Sequence, residues 1–353
     1  FYRAVIIIAQ ALADFGERYA VLARKMADRC QDEERRNELR VVADICGSNL
    51  RHGADSFYGA LQAIFLAQIA LNQESLDNAI CPGRMDQYLW PLYQRDIAEG
   101  VLTPSQAKIL IAAFCIKMSE IIPVFSAQLT NFHGGMFNGQ VVTVGGTDRN
   151  GDDATNELSY LFLAVVDALR MRQPNFHARL HARAPEDYRR KVIDMLAGGA
   201  NTPALYNDEI IIETLQRHGY ASEDARDYTA VGCVEPVCQG KSFSSTDAAL
   251  FNTPLALELA LNRGRRFGSP VRTGAKTPPA RNLQTMEDVK AAFKSQLETM
   301  LKRMITDLKA VEQANRRFHP TPLTSMLLDG CLETGRCSTA GGAVYNFSGI
   351  QCV

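Results

Sequence analysis

The sequence has no surplus of charge of one sign, no long apolar run and no closely spaced cysteine pair. Its 38 basic and 39 acidic side chains leave a net charge of −1. It therefore lacks the global basic footprint of a nucleic-acid or polyanion binder, and no nucleic-acid partner is expected. No uninterrupted apolar stretch approaches the ~18–20 residues a helix needs to span a bilayer. Runs such as Ala4–Ala9 and Ile109–Phe114 have the length of buried elements, and no membrane partner is expected. There is no GxGxxG or GxxxxGK spacing, so Gly145-Gly146 is not read as a phosphate cradle. Internal repeats and low-complexity tracts are also missing.

The chain opens on Phe1-Tyr2-Arg3, without an initiator Met, a basic leader or a signal peptide. It stops at Gly349-Ile350-Gln351-Cys352-Val353, straight after the strand-like run Ala343–Phe347. Both ends read as cut through structure, so the sequence is expected to be an internal piece of a longer protein.

The cysteines number nine, at positions 30, 46, 81, 115, 233, 238, 331, 337 and 352. The number is odd, no two form a CxxC, and the spacing follows no secreted framework. A reduced, cytoplasmic setting with most thiols as small buried hydrophobes is the expectation. A structural zinc site needs closely paired thiolates or imidazoles, so no metal is expected. His177 and His181, four apart, share a face of either a helix or a strand. No third ligand accompanies them, and they read as polar residues in the fold interior.

What is present is an ordinary globular composition, 46% hydrophobic and 22% charged over 353 residues, enough for two domains or one large one. The first third reads helical. Arg3–Asp28 carries apolar residues at i, i+3, i+4, i+7, and Asp32–Ile45 is a charged helix that Gly47 should end. Asp55 and Ser56 can cap a third helix to about Asn72. Thr103-Pro104 opens a helix to Ile121, closed by Pro123.

The middle alternates. Gln140–Gly145 and Asn175–His181 read as strands, Asn156–Arg172, Pro185–Leu196 and Asp208–His218 as helices, and Ala204–Tyr206 as a brief strand. Arg84 and Asp86 fall in a loop before the aromatic cluster Tyr88–Tyr93 and read as a structural ion pair. Ser222–Asp227 is a short acidic helix or turn leading into the β-type segment Tyr228–Gly232. Thr253–Arg263 and Met286–Ala314 are helices flanking a Pro/Gly/basic loop. Strands alternating with helices give an α/β fold class.

The segment richest in chemistry is Val231-Gly232-Cys233-Val234-Glu235-Pro236. On extended backbone a Cys and a Glu two apart face the same side. Gly232 removes bulk beside the thiol, and Pro236 should stop the strand from continuing into a ladder. The pair suits a Cys that reacts and a Glu that moves protons. Spacing alone would equally describe a buried Cys followed by a surface Glu. Cys238, five residues on, reads as a bystander.

With its surroundings this segment resembles the Cys-loop signature of the glycyl radical enzymes, the pyruvate formate-lyase superfamily. The matching pieces run in order along the chain: Pro82-Gly83-Arg84-Met85-Asp86-Gln87-Tyr88, Gly145-Gly146-Thr147-Asp148 with Asp153-Ala154-Thr155-Asn156-Glu157-Leu158, Arg170–Pro174, Asn207-Asp208-Glu209, and Gly341-Gly342-Ala343 with Tyr345-Asn346.

The resemblance implies one pyruvate formate-lyase-like domain over residues 1–353, without the family's N-terminal part and its C-terminal glycine radical domain. It implies a ten-stranded α/β barrel of two five-stranded halves, wrapped in helices, and a homodimer. No cofactor is expected to be bound. Instead, a radical-SAM activating enzyme is the implied partner; it would install a radical on a Gly absent from this chain. Cys233 would become a thiyl that takes hydrogen from a small-molecule substrate, and Glu235 would be the general acid/base. The 353 residues alone would be inactive.

Departures from the family pattern narrow this expectation. Pyruvate formate-lyase carries adjacent cysteines, whereas Gly232 precedes Cys233 here, which disfavours formate acetyltransferase chemistry. The Cys-x-Glu form is similar to the eliminating and decarboxylating branches. The dehydratase-like members continue Gly-Lys-Thr-Glu-Gly-Trp-His-Asp-Ala-Ala. Here Gly240–Ala249 keeps Asp247 in the place of the substrate-binding Asp, with Thr246 for the His and Ser245 for the Trp. Asn78-Ala79 stand where the glycerol enzyme has a substrate-contacting His-Ser pair. Asp247, Thr246 and Asn78 are the candidate substrate-binding residues of a rebuilt polar pocket. The implied function is a glycyl radical lyase acting by dehydration or by C–N or C–S cleavage. The alternatives are an arylacetate-type radical decarboxylase and a non-catalytic or truncated scaffold.

Overall fold

The computed structural model describes residues 1–75, 80–122, 126–132, 139–232 and 234–352, with the side chains of Leu129, Phe132, Thr246, Asp247, Ser348 and Gln351 set apart. Helix α1 (Tyr2–Arg29) folds back on α2 (Glu33–His52), whose first turn is capped by Asp32 accepting from the Arg35 N–H. Gly47 does not end α2 as the sequence suggested. It lies where a Cβ would come within 3.4 Å of Ala20, so its small size serves the contact with α1. The helix stops instead at Gly53, whose φ of +86° is the left-handed conformation glycine accepts freely. Gly16 closes the same contact from the other side, because a Cβ there would lie 2.5 Å from the Cys46 carbonyl oxygen.

Helix α3 (Phe57–Glu74) starts at Ser56, whose Oγ accepts from the Gly59 N–H at 3.1 Å. The loop expected around Arg84 and Asp86 runs at Met85 into the short helix α4 (Met85–Tyr88), and α5 (Trp90–Ala98) follows. Helix α6 (Pro104–Ser119) carries the expected Thr103 cap, closed reciprocally by Gln106. Pro123, expected to end it, lies outside the described residues. The short helix α7 (Ala127–Phe132) follows.

Strands β1 (Val141–Gly145), β2 (Asn175–Leu180) and β3 (Ala204–Asn207) form a parallel sheet in that order. Between them run α8 (Glu157–Leu169) and α9 (Glu186–Ala197), the βαβ pattern a parallel sheet requires. After β3 come α10 (Asp208–Arg217) and α11 (Ser222–Arg226). Strands β4 (Tyr228–Val231) and β5 (Glu235–Cys238) make an antiparallel hairpin. Strand β6 (Ser242–Phe251) pairs in parallel with β7 (Tyr345–Cys352). Between those two lie α12 (Thr253–Leu261), the 33-residue α13 (Met286–Phe318), α14 (Pro322–Met326) and α15 (Cys331–Thr334).

Alternation along β1 divides the interior. Val142 and Val144 enter a large core with Phe57, Ile111, Phe114, Phe162 and Phe176 from the helices and β2. Val141 faces the opposite way, into a second core with Tyr206, Tyr228, Ala230 and Cys238. The hairpin packs on this face of the sheet together with Leu215 of α10 and Ala225 of α11.

The fold is α/β, as the alternation of elements indicated. A ten-stranded barrel is not seen among the described residues. Their strands fall into three separate sheets, whereas a barrel needs one closed sheet. Among the described residues no single helix is long and apolar enough to cross a membrane, and no group of three or more His, Cys, Asp or Glu side chains could hold a metal ion.

Candidate active site

Glu235 opens β5 at the turn end of the β4–β5 hairpin. Val231 pairs with Glu235, and Gly232 and Val234 are turn residues between the two strands. Gly232 has a φ of +61°, where a Cβ would be strained. Pro236 does not end the ladder, contrary to expectation. It pairs with Ala230 inside β5. The hairpin has only two strands, so an N–H missing from one of them is tolerated as on any sheet edge.

Glu235 opens β5 half-buried, and the Val234 N–H donates to its Oε2 at 2.8 Å. Cys233 and Asn78 lie outside the described residues. The backbone of Thr246 and Asp247 lies in β6, where the ladder is irregular. Ser245 pairs with Ser348 and Ala249 with Ile350, so four steps along β6 face two along β7. Such a bulge commonly marks a place where a strand re-aims its side chains. Cys238 is buried, and burial pushes its thiol up to about 12, so it stays protonated as a bystander should.

The foot of the hairpin is held by two buried arginines that the sequence did not assign to it. Arg84, at the start of α4, is 1% exposed. Its Nη1 donates to Asp227 Oδ1 at 2.9 Å, and its Nη2 to the carbonyls of Gly145 and Thr147 at 3.1 and 2.9 Å. Asp227 immediately precedes β4 and also takes Arg149 on Oδ2. Burial, with Arg179 nearby, pushes the Arg84 guanidinium down to about 10 against the pull of Asp86 and Asp227.

Arg179, on β2, donates through Nε and Nη2 to the two Asp208 oxygens at 2.9 and 2.8 Å, both residues being almost fully buried. It also donates to the carbonyls of Arg226 and Tyr228, one on each side of Asp227. Burial alone would raise Asp208; Arg179, Tyr228 Oη and the Thr147 N–H hold its carboxyl below the usual range.

Arg84 and Asp86 do not form the direct pair expected from their spacing. Asp86 Oδ2 instead accepts from the Gly145 N–H at 2.7 Å and the Ser159 hydroxyl at 2.6 Å. Burial leaves its carboxyl above the usual range despite these donors. No local signal announced these contacts, because Arg84 and Asp227 are 143 residues apart.

His177 and His181 are interior, as read. The His177 ring stacks on Tyr206 with centroids 4.8 Å apart. Burial alone pulls its imidazole down to about 4, so it is neutral at physiological pH. His181 Nε2 lies 2.9 Å from Asp153 Oδ1.

The family model described as "Pyruvate formate lyase-like" matches residues 1–353. The chain is 33% identical to a (2S)-3-sulfopropanediol dehydratase of Klebsiella oxytoca, over 98% of its own length and 42% of that protein's. It is 32% identical to a trans-4-hydroxy-L-proline dehydratase of Clostridioides difficile, over 99% of its length and 44% of that protein's. A crystal structure of a glycyl radical enzyme from Archaeoglobus fulgidus superposes with a TM-score of 0.96 at 39% identity, covering 100% of this chain and 45% of the other. The chain thus spans less than half the length of the relatives it matches.

Proposed function

The chain belongs to the pyruvate formate lyase-like family, and on that premise we propose that it supplies the hydrogen-abstracting hairpin of a glycyl radical lyase. The observation that carries this reading is the β4–β5 turn. The hairpin's foot is fixed by Arg84 and Arg179 and Glu235 stands half-buried at the turn end of β5, which supports reading the Cys-x-Glu pair as the reacting groups. The dehydratase names of the relatives favour elimination.

In this reading the whole protein's three sheets belong to a barrel completed by further strands, and two copies form a homodimer. A radical on a Gly outside these residues, installed by a radical-SAM activating enzyme, supplies the oxidising power that removes the hydrogen atom from the Cys233 thiol. Cys233 then takes a hydrogen atom from a substrate carbon, which re-forms the S–H bond. Glu235 takes the proton of the hydroxyl on the radical carbon as that oxygen becomes a carbonyl, and gives a proton to a departing hydroxyl, which leaves as water; an amine or sulfite leaves with the electrons of the broken C–N or C–S bond. Cys233 returns the hydrogen atom to the product. Asp247, Thr246 and Asn78 orient the polar groups of a small substrate. Closure of the site excludes solvent and oxidants that would quench the radical.

A rate screen of the full-length, anaerobically activated protein against diols, choline, hydroxyproline, isethionate and arylacetates tests this. Turnover of a diol, hydroxy acid or sulfonate by elimination supports the lyase. Turnover of arylacetates alone moves the protein to the decarboxylating branch, and a protein that forms the radical yet turns over none of the panel contradicts the assignment.

A further inference from the structure

The hairpin meets the rest of the fold at its foot, and three contacts there converge on a single turn. Gly83 is bonded to β1 in both directions. Its N–H donates to the Val141 carbonyl at 3.1 Å, and its carbonyl accepts from the Thr143 N–H at 2.9 Å. The Gly83–Arg84 turn is thus an extension of the parallel sheet. From it, the Arg84 side chain reaches Asp227, the residue before β4. The Arg84 backbone N–H reaches Gln239 Oε1 at 2.6 Å, and Gln239 is the residue after β5. Position 83 has a φ of +76°, and a Cβ there would overlap Gln239 Oε1, so glycine is needed for the amide to seat.

On the β4 side the grip is redundant. Asp227 is also held by Arg149, the Arg226 and Tyr228 carbonyls by Arg179, and the Thr229 hydroxyl lies 2.8 Å from that of Thr143. The β5 side, which carries Glu235, meets the Gly83–Arg84 turn through Gln239.

We infer that Gln239 is a positioning residue for Glu235: its side-chain amide pins the end of β5 to the Gly83–Arg84 turn and so sets where Glu235 stands. The inference rests on the proposed function of the hairpin. Glu235 is four residues from Gln239 along a strand, so rotation or fraying of the β5 end is transmitted directly to the carboxylate. Half-buried, with its side-chain oxygen on the Arg84 N–H, Gln239 acts through Glu235.

The test uses the full-length activated enzyme with Gln239→Ala, Gln239→Glu and, as a control on the underlying reading, Glu235→Gln. Glutamate keeps an acceptor oxygen for the Arg84 N–H, whereas alanine removes it. Deuterium uptake by peptides spanning 228–238 should be about tenfold faster in Gln239→Ala, because the hairpin opens locally. Turnover per glycyl radical should fall about 10–100-fold, as expected for a misplaced catalytic group. KM, radical yield and melting temperature should stay near wild type, and Gln239→Glu should recover both exchange and turnover. A purely structural role would lower the melting temperature and the active fraction while leaving turnover per radical unchanged. Unchanged exchange in Gln239→Ala overturns the inference, as does faster exchange with unchanged turnover per radical. Failure of the functional reading shows separately, as wild-type turnover by Glu235→Gln.

Discussion

The buried guanidinium of Arg84 and the carboxylate of Asp227 meet at 2.9 Å across 143 residues of sequence, tying the start of α4 to the foot of the hairpin that carries Glu235. The second clamp on the same foot, Arg179 with Asp208, is the more completely desolvated, with side chains 0% and 1% exposed. Removing one charge of such a pair leaves the other buried and uncompensated. Asp208→Asn should therefore destabilise the protein by about 3–5 kcal/mol. Urea unfolding of variant and wild type reads this directly. A loss below about 1 kcal/mol would mean that the pair is not the anchor described here.

Stability should depend on pH through His177. Its folded-state value is held at about 4 by burial, well below that of a free imidazole. As pH falls from about 6.5 toward about 4, the unfolded chain gains a proton that the folded chain refuses, so up to about 3 kcal/mol of stability is lost. Asp86, raised by burial, works in the opposite direction. The comparison is therefore made between wild type and His177→Gln, whose unfolding free energy should fall less steeply with acid. Equal slopes would exclude His177 as the source.

The contact between α1 and α2 can be tested at Gly16. Alanine should favour the helix itself by nearly 1 kcal/mol. Its Cβ, however, would lie 2.5 Å from the Cys46 carbonyl oxygen, which is backbone and cannot swing away. Overpacking of that kind costs about 1–3 kcal/mol, so the clash wins and Gly16→Ala should lower the melting temperature. A stabilised variant would show that the two helices separate at little cost.

The described cysteines should differ in reactivity. Burial opposes ionisation of Cys337, but donors from Ser325, Thr339 and Thr321 outweigh it and bring its thiol down to about 7. Cys115 and Cys238 are pushed up to about 12 by burial. At neutral pH iodoacetamide should label Cys337 at least about 100-fold faster than either, since the thiolate is the nucleophile. Peptide mass spectrometry after brief labelling gives the order, and equal labelling would contradict it.

Much of this architecture was legible in local sequence. The Thr103-Pro104 start, the Ser56 cap and the strand before Cys233 all follow from turn and cap chemistry that acts over a few residues. What escaped has long-range causes. Gly47 looks like a helix stop until α1 is laid against it, and Arg84–Asp86 looks like loop because the four-residue helix that begins at Met85 is too short to show a period. Pro236 looks like a strand breaker until the hairpin proves to have only two strands. The seating of Arg84, Arg179 and Gln239 depends on partners brought together by folding, and no spacing rule marks them. The Cys-x-Glu tripeptide was conspicuous by its residue types, while its anchoring was not.

Glu235→Gln keeps size and hydrogen bonding at the first position of β5 but cannot exchange a proton. In the full-length activated enzyme it should lower turnover by about 10²–10⁴-fold, with the radical still formed. A rate near wild type would make Glu235 a structural residue of the hairpin.

The most direct measurement of the central claim is Cys233→Ser in the full-length protein, activated anaerobically and followed by electron spin resonance and product formation together. In the proposed relay the thiol lies downstream of the glycine. The variant should therefore show the glycyl radical doublet at wild-type yield and form no product. Product at the wild-type rate would contradict the assignment of the β4–β5 turn as the hydrogen-abstracting site.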